Sequence, residues 1–127
     1  MVKRELRNEQ ELGLPTGLYA QGIRCGDFIY TTQIGNLRGG DLAGPGMYEQ
    51  AAQALRNAQA LLAGEGAELS DVVKCTIYIV DMEDYEELNR AYEDLMPKPY
   101  PSRTCVQVSQ LSPGSRVEME LTAYLGN

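Results

Sequence analysis

Histidine and tryptophan are absent from the 127 residues, and a single phenylalanine stands against eight tyrosines. Without imidazole no Ser-His or Cys-His nucleophile can be assembled, nor any zinc or haem site built on histidine. Acid–base work then falls to carboxylates, tyrosines, a thiol or water. Cysteine is scarce as well. Cys25, Cys75 and Cys105 are odd in number, widely spaced and form no C-x-x-C, which fits reduced thiols better than a disulfide framework. No apolar run approaches the roughly 20 residues that cross a bilayer. The basic residues of MVKRELRNEQ have no apolar segment behind them, so no secretory signal is expected and the expected location is the cytoplasm. Positive charge is also in short supply: eleven Lys and Arg against eighteen Asp and Glu give a net charge of −7. Such a field repels a phosphate backbone, and no Lys/Arg cluster relieves it, so neither nucleic acid nor membrane is an expected partner.

What is present fits a globular chain. The hydrophobic fraction of 43% and charged fraction of 23% are ordinary. A chain of this length fits one domain, residues 1–127, that buries roughly two thirds of the surface its unfolded form exposes. No linker, low-complexity stretch or repeat divides it.

Two β-rich runs, Tyr19–Arg24 and Phe28–Thr32, flank Cys25-Gly26-Asp27 and predict a hairpin. The glycine-rich GNLRGGDLAGPG that follows reads as a surface loop. From Met47, apolar residues Ala51, Ala54, Leu55, Ala58, Leu61 and Leu62 recur at helical spacing, with Gly64 and Gly66 as a stop. In DVVKCTIYIV, Val73, Cys75, Ile77 and Ile79 alternate with Lys74, Thr76, Tyr78 and Val80, which predicts an interior strand. A second helix is expected in DMEDYEELNRAYEDLM, on the stripe Tyr85, Leu88, Tyr92 and Leu95, with Asp81 or Asp84 as cap and Asp84/Glu87 at capping-box spacing. After a proline-rich break come PSRTCVQV, a turn at Ser112-Pro113-Gly114, and SRVEMELTAYL with Val117, Met119, Leu121 and Ala123 on one face. The order is β-β-α-β-α-β-β. It suggests an α+β fold in which a mixed sheet carries two helices on one face.

In that arrangement the polar faces Arg103/Cys105/Gln107 and Arg116/Glu118/Glu120 are both expected on the side away from the helices, facing water or a subunit interface. One reading makes them a solvated face with cross-strand Arg–Glu pairs, worth roughly 0.2–1 kcal/mol each. In the other, the Arg103 guanidinium binds a small carboxylate through its planar fork and Glu118 orients or deprotonates a water.

YAQG, GDFIYTTQIG, the long QAAQALRNAQALLAGEG–YEELNRAYEDL stretch, PSRTCVQV and VEMEL together resemble the RidA/YjgF family of reactive intermediate deaminases. The closing pair is the most specific part, with arginine, a cysteine two residues on, and glutamate fifteen residues after the arginine. The resemblance implies a chorismate-mutase-like (YjgF-type) fold assembled as a homotrimer, with sites in the clefts between subunits. It implies hydrolysis of small 2-enamine and 2-imino acids, such as 2-aminoacrylate and its imine tautomer, to 2-keto acids and ammonium without a cofactor. It assigns Arg103 to the substrate carboxylate, Glu118 to the attacking water, Cys105 to the pocket lining and Tyr19 to its closure. Asn89 matches an asparagine of mainly structural role, read as a helix-to-loop hydrogen bond. The family's Ser-Gly-Gln before isoleucine is replaced by Thr31-Thr32-Gln33, with Thr32 in place of the serine hydroxyl. Two further readings are a 2-keto acid sensor that retains Arg103 and, ranked last on charge, an endoribonuclease or translation inhibitor.

Overall fold

The computed structural model describes residues 2–126. Its elements run β1 (Arg4–Leu6), α1 (Glu9–Leu12), β2 (Gly22–Cys25), β3 (Phe28–Ile34), α2 (Met47–Ala63), β4 (Val72–Ile79), α3 (Tyr85–Leu95), β5 (Ser102–Gln107) and β6 (Val117–Tyr124). Single 3-10 turns at Leu69–Asp71 and Met82–Asp84 lead into β4 and α3. The six strands form one sheet in the order β1-β2-β3-β6-β4-β5, antiparallel throughout except for the parallel β4–β5 pair.

Both long helices cover one face of this sheet, as the alternation predicts. Ala51, Ala54, Leu55, Ala58 and Leu62 of α2 are fully buried against Ile29, Ile77, Ile79, Val117 and Met119. Small side chains let the α2 backbone come close. At Gly35 an added Cβ would run into the Gln50 backbone, and at Gly22 into the Leu61 side chain. The hairpin turns at Gly26, whose φ of 62° is the left-handed conformation that glycine adopts without penalty.

The structure departs from the sequence expectations in several places. Strand β1 and helix α1 carry no periodicity long enough to be read. Strand β1 is held by its antiparallel pairing with β2 and by buried Leu6, with Arg4 and Arg24 both binding Glu65 just past α2, and Asn8 caps α1 by accepting from the Glu11 N–H at 3.1 Å. Val73 does not share the buried face of Cys75, because the β4–β6 register shifts between Val72 and Lys74 and leaves Val73 exposed. The Asp84/Glu87 capping box does not form. Asp84 is drawn to the Arg116 guanidinium at 2.9 Å, while Asp81 caps the preceding 3-10 turn through the Glu83 N–H. The loop after β3 is more ordered than its glycines suggest. Asn57 donates to the Ile34 and Asn36 carbonyls, and Gln50 donates to those of Gly44 and Gly114 while accepting from the Arg116 N–H.

The largest correction concerns β5. It is not the hairpin partner of β6 but an edge strand lying parallel to β4, which separates the two. The register aligns Arg103 with Cys75 and Cys105 with Ile77, so Arg103, Cys105 and Gln107 point to the helix-covered side, not away from it. Glu118 and Glu120 align with Tyr78 and Thr76 and do face away from the helices. Arg116 precedes β6 and folds back onto Asp84 and the Pro45 carbonyl. No Arg–Glu ladder can span these positions, because the residues stand on opposite faces.

Candidate functional site

The alternation of β5 turns Arg103 inward, and α3 supplies what receives it. Tyr85, Asn89 and Tyr92 sit at i, i+4 and i+7, one face of a helix, and all three meet the guanidinium. One terminal nitrogen, Nη2, donates to the Tyr85 hydroxyl and to Asn89 Oδ1, both at 2.9 Å. The carbon of the guanidinium lies 4.7 Å from the Tyr92 ring centroid and 5.6 Å from that of Tyr85. Planar cations favour such aromatic faces, and the contact strengthens as water is excluded. A cleft opens beside this group, lined by Asn89, Tyr92, Glu93, Tyr100, Pro101 and Arg103. Asn89 therefore does not bond a loop: it fixes the arginine. Its spacing from Tyr85 and Tyr92 was the available signal, but the tyrosines fit a core stripe equally well.

Cys105 lies one step along the same face, half-buried. Burial pushes its thiol pKa up, an effect the neighbouring Arg103 charge opposes. Cys75, fully buried in register with Arg103, is pushed up to about 12 by burial, again against the pull of Arg103. Both sulfurs are thus protonated at neutral pH, which suits a pocket lining and not a nucleophile.

On the other face of the sheet a second cleft gathers Tyr19, Gln21, Thr32, Asn36, Ser112 and Glu118. The Thr32 hydroxyl donates to Glu118 Oε2 at 3.1 Å. That bond orients the carboxylate and leaves Oε1 with no protein partner among the described residues. Tyr19 is 51% exposed, and its hydroxyl meets that of Thr16 at 3.0 Å. Thr31 faces the core instead, donating to the Gln21 carbonyl and accepting from Gln33 Nε2, both at 2.8 Å.

The sequence-derived residues thus fall into two groups. Tyr19, Thr32 and Glu118 come together, Arg103 and Cys105 come together, and the sheet of the same chain lies between. The sheet face away from the helices is bare: polar Lys74, Thr76, Glu118, Glu120 and Thr122 share it with exposed apolar side chains. Phe28, Tyr30, Val106 and Tyr124 are each 39–49% exposed, and the Phe28 and Tyr124 rings meet at a tilt of 46° with centroids 5.0 Å apart, at the end of the β3–β6 pair opposite Glu118.

A sheet with two helices on one face and an arginine–glutamate pair split between its faces defines a known class of small α+β protein. The structure superposes on RidA from the Antarctic bacterium Psychrobacter sp. PAMC 21119 with a TM-score of 0.89 at 30% identity, covering 95% of this chain and 98% of that one. It also matches E. coli TdcF, solved with bound serine, with a TM-score of 0.88 at 27% identity, covering 97% and 99%. The family model described as endoribonuclease L-PSP matches residues 10–125. Human 2-iminobutanoate/2-iminopropanoate deaminase is 35% identical over 112 residues, which is 87% of this chain and 82% of that protein. The RutC family protein y4sK of Sinorhizobium fredii is 36% identical over 113 residues, 86% of this chain and 88% of that one. The chain belongs to this family, the RidA/YjgF proteins.

Proposed function

We propose that the protein hydrolyses small 2-imino acids and their enamine tautomers to 2-keto acids and ammonium, in sites formed between copies of the chain. The observation that carries this reading is the division of the site. Arg103 is held in one cleft and Glu118 in another, on opposite sides of one sheet, so a substrate touching both requires a second copy. The exposed aromatic side chains on the same sheet face as Glu118 supply a surface for that copy, since exposed apolar patches mark interaction surfaces. A cyclic homotrimer, in which Arg103 and Cys105 of one subunit meet Tyr19, Thr32 and Glu118 of its neighbour, satisfies both.

The chemistry asks little of such a site. The imine carbon is already electrophilic. The carboxylate docks at Arg103, and a water accepts orientation from the free Oε1 of Glu118. Water oxygen bonds to the imine carbon, and the C=N π pair moves to nitrogen. Glu118 takes the water proton and returns it to the nitrogen. Glu118 then carries the hydroxyl proton of the resulting carbinolamine to its nitrogen, and the C–N bond breaks as the carbonyl forms, releasing ammonia that protonates in solution. Positioning and proton transfer of this kind need neither imidazole nor metal. The relatives named 2-iminobutanoate/2-iminopropanoate deaminase support this substrate class. A net charge of −7 and the absence of histidine weigh against RNA cleavage, despite the name of the family model.

The test is pyruvate release from 2-aminoacrylate generated in place from serine by a dehydratase. Wild type should exceed the spontaneous rate. Arg103→Ala should abolish the gain, and Glu118→Gln should lower it by about 100-fold, the usual scale for a lost acid–base group. A wild type that adds nothing to the spontaneous rate, yet binds pyruvate through Arg103, would turn the reading into that of a 2-keto acid sensor.

A further inference from the structure

An arginine binds a carboxylate in two parallel bonds only along an edge where two donors point the same way, and both such edges of a guanidinium include Nη2. In this protein Nη2 carries two hydrogens and two acceptors, the Tyr85 hydroxyl and Asn89 Oδ1, each at 2.9 Å. Nε and Nη1 make no hydrogen bond among the described residues. Neither edge is therefore left with both donors free.

The two occupants differ in what they offer a ligand. An amide oxygen only accepts. A hydroxyl that accepts from Nη2 still carries its own hydrogen, directed away from the guanidinium and available to an anion. Tyr85 opens α3 and is 37% exposed, and its bond to Nη2 lies in the open, so this hydrogen reaches solvent. The Tyr92 hydroxyl, by contrast, is buried and makes no hydrogen bond, which leaves Tyr85 as the ring with a usable hydroxyl on the guanidinium.

We propose that the Tyr85 hydroxyl is the second donor to the substrate carboxylate, so that the anion is held by one Arg103 nitrogen and by Tyr85 instead of by the guanidinium alone. Tyr85 is then a binding residue with two tasks: it fixes Nη2 and presents an O–H in the place of the lost edge. The inference rests on the reading of Arg103 as the carboxylate anchor. It also predicts preference for a carboxylate over a carboxamide of the same shape, because an amide presents an N–H as often as an oxygen to this donor pair.

The experiment compares pyruvate and pyruvamide as probes, by calorimetry on the assembled protein, for wild type, Tyr85→Phe and Arg103→Ala. Phenylalanine keeps the ring beside the guanidinium and removes only the hydroxyl. Tyr85→Phe should weaken pyruvate binding about fivefold to tenfold, the scale of one partly exposed charge-assisted hydrogen bond, and leave pyruvamide nearly unmoved. In the deaminase assay KM should rise by more than kcat falls. Unchanged or tighter pyruvate binding by Tyr85→Phe, or an equal loss for both probes, would overturn the inference while leaving Arg103 as anchor, provided Arg103→Ala binds no pyruvate. Pyruvate binding by Arg103→Ala as strong as wild type, or none by wild type, would sink the anchor reading and this inference together.

Discussion

Arg103 is legible in the sequence as a fixed cation opening a strand, but its surroundings are not, because three of them come from a helix that begins eighteen residues earlier. Tyr85, Asn89 and Tyr92 convert a flexible side chain into a fixed one by two hydrogen bonds and aromatic contact. Removing the amide should therefore loosen the guanidinium without removing the charge. Asn89→Ala should raise KM for the imine by roughly tenfold, in line with losing one hydrogen bond to a charged group, and should give the same mass as wild type by light scattering. The state of Cys105 gives a second check at this scale. Its thiol pKa is raised by burial, so at neutral pH less of it is thiolate than in a free cysteine. Iodoacetamide should modify Cys105 more slowly than N-acetylcysteine at pH 7.5, and the rate should climb as pH rises. Arg103→Ala removes the one opposing influence and should slow the reaction further. Faster alkylation than the free thiol would show that the cation, not burial, sets the sulfur.

At the scale of elements, periodicity identifies the long members of this fold and is silent about their neighbours. The α2 stripe, the β2–β3 turn, the alternation of β6 and that of β4 from Cys75 onward stand where the sequence puts them, since each rests on burial repeated over several residues. The pairing of β5 does not follow from its own residues. A strand reads the same whether its partner is β6 or β4, and with the wrong partner Arg103 is assigned to the wrong face. Short β1 offers even less, being three residues paired with β2 and tied to Glu65 by Arg4. The Glu65 carboxyl is held below its usual range chiefly by its hydrogen bond to Arg4, with Arg24 adding to it and burial opposing. Because the folded value is depressed, this attachment is present above the ordinary glutamate range and is lost as pH falls through the lower folded value. Hydrogen exchange should show the β1 amides losing protection on acidification earlier than those of β6, and Glu65→Gln should bring that loss to neutral pH. The contact of β3 with α2 is tested by Gly35→Ala. An added methyl would strike the Gln50 backbone, so the variant should lose about 2 kcal/mol, as overpacking commonly costs. Its midpoint in thermal melting should fall by about 5–10 °C.

For the molecule as a whole, the resemblance led to a family that the comparisons bear out, and the structure adds the separation on which the proposed shared site rests. Its arginine and its glutamate are separated by their own sheet, and the sheet carries an open aromatic surface on the glutamate side. None of this is visible in residue spacing, because an offset of fifteen from Arg103 to Glu118 says nothing about faces until β4 is seen to lie between them. Light scattering at micromolar concentration should give the mass of three chains, and a monomer would contradict the assembly.

The division of the site is tested most directly by mixing. Arg103→Ala and Glu118→Ala variants, each inactive alone, are unfolded together, refolded, and assayed for pyruvate release. If each site takes Arg103 from one chain and Glu118 from its neighbour, random cyclic trimers contain one intact site in about four, and activity should return to about a quarter of wild type. If no activity returns while mass measurement shows mixed trimers, both residues serve one chain's site and the account of a shared site is wrong.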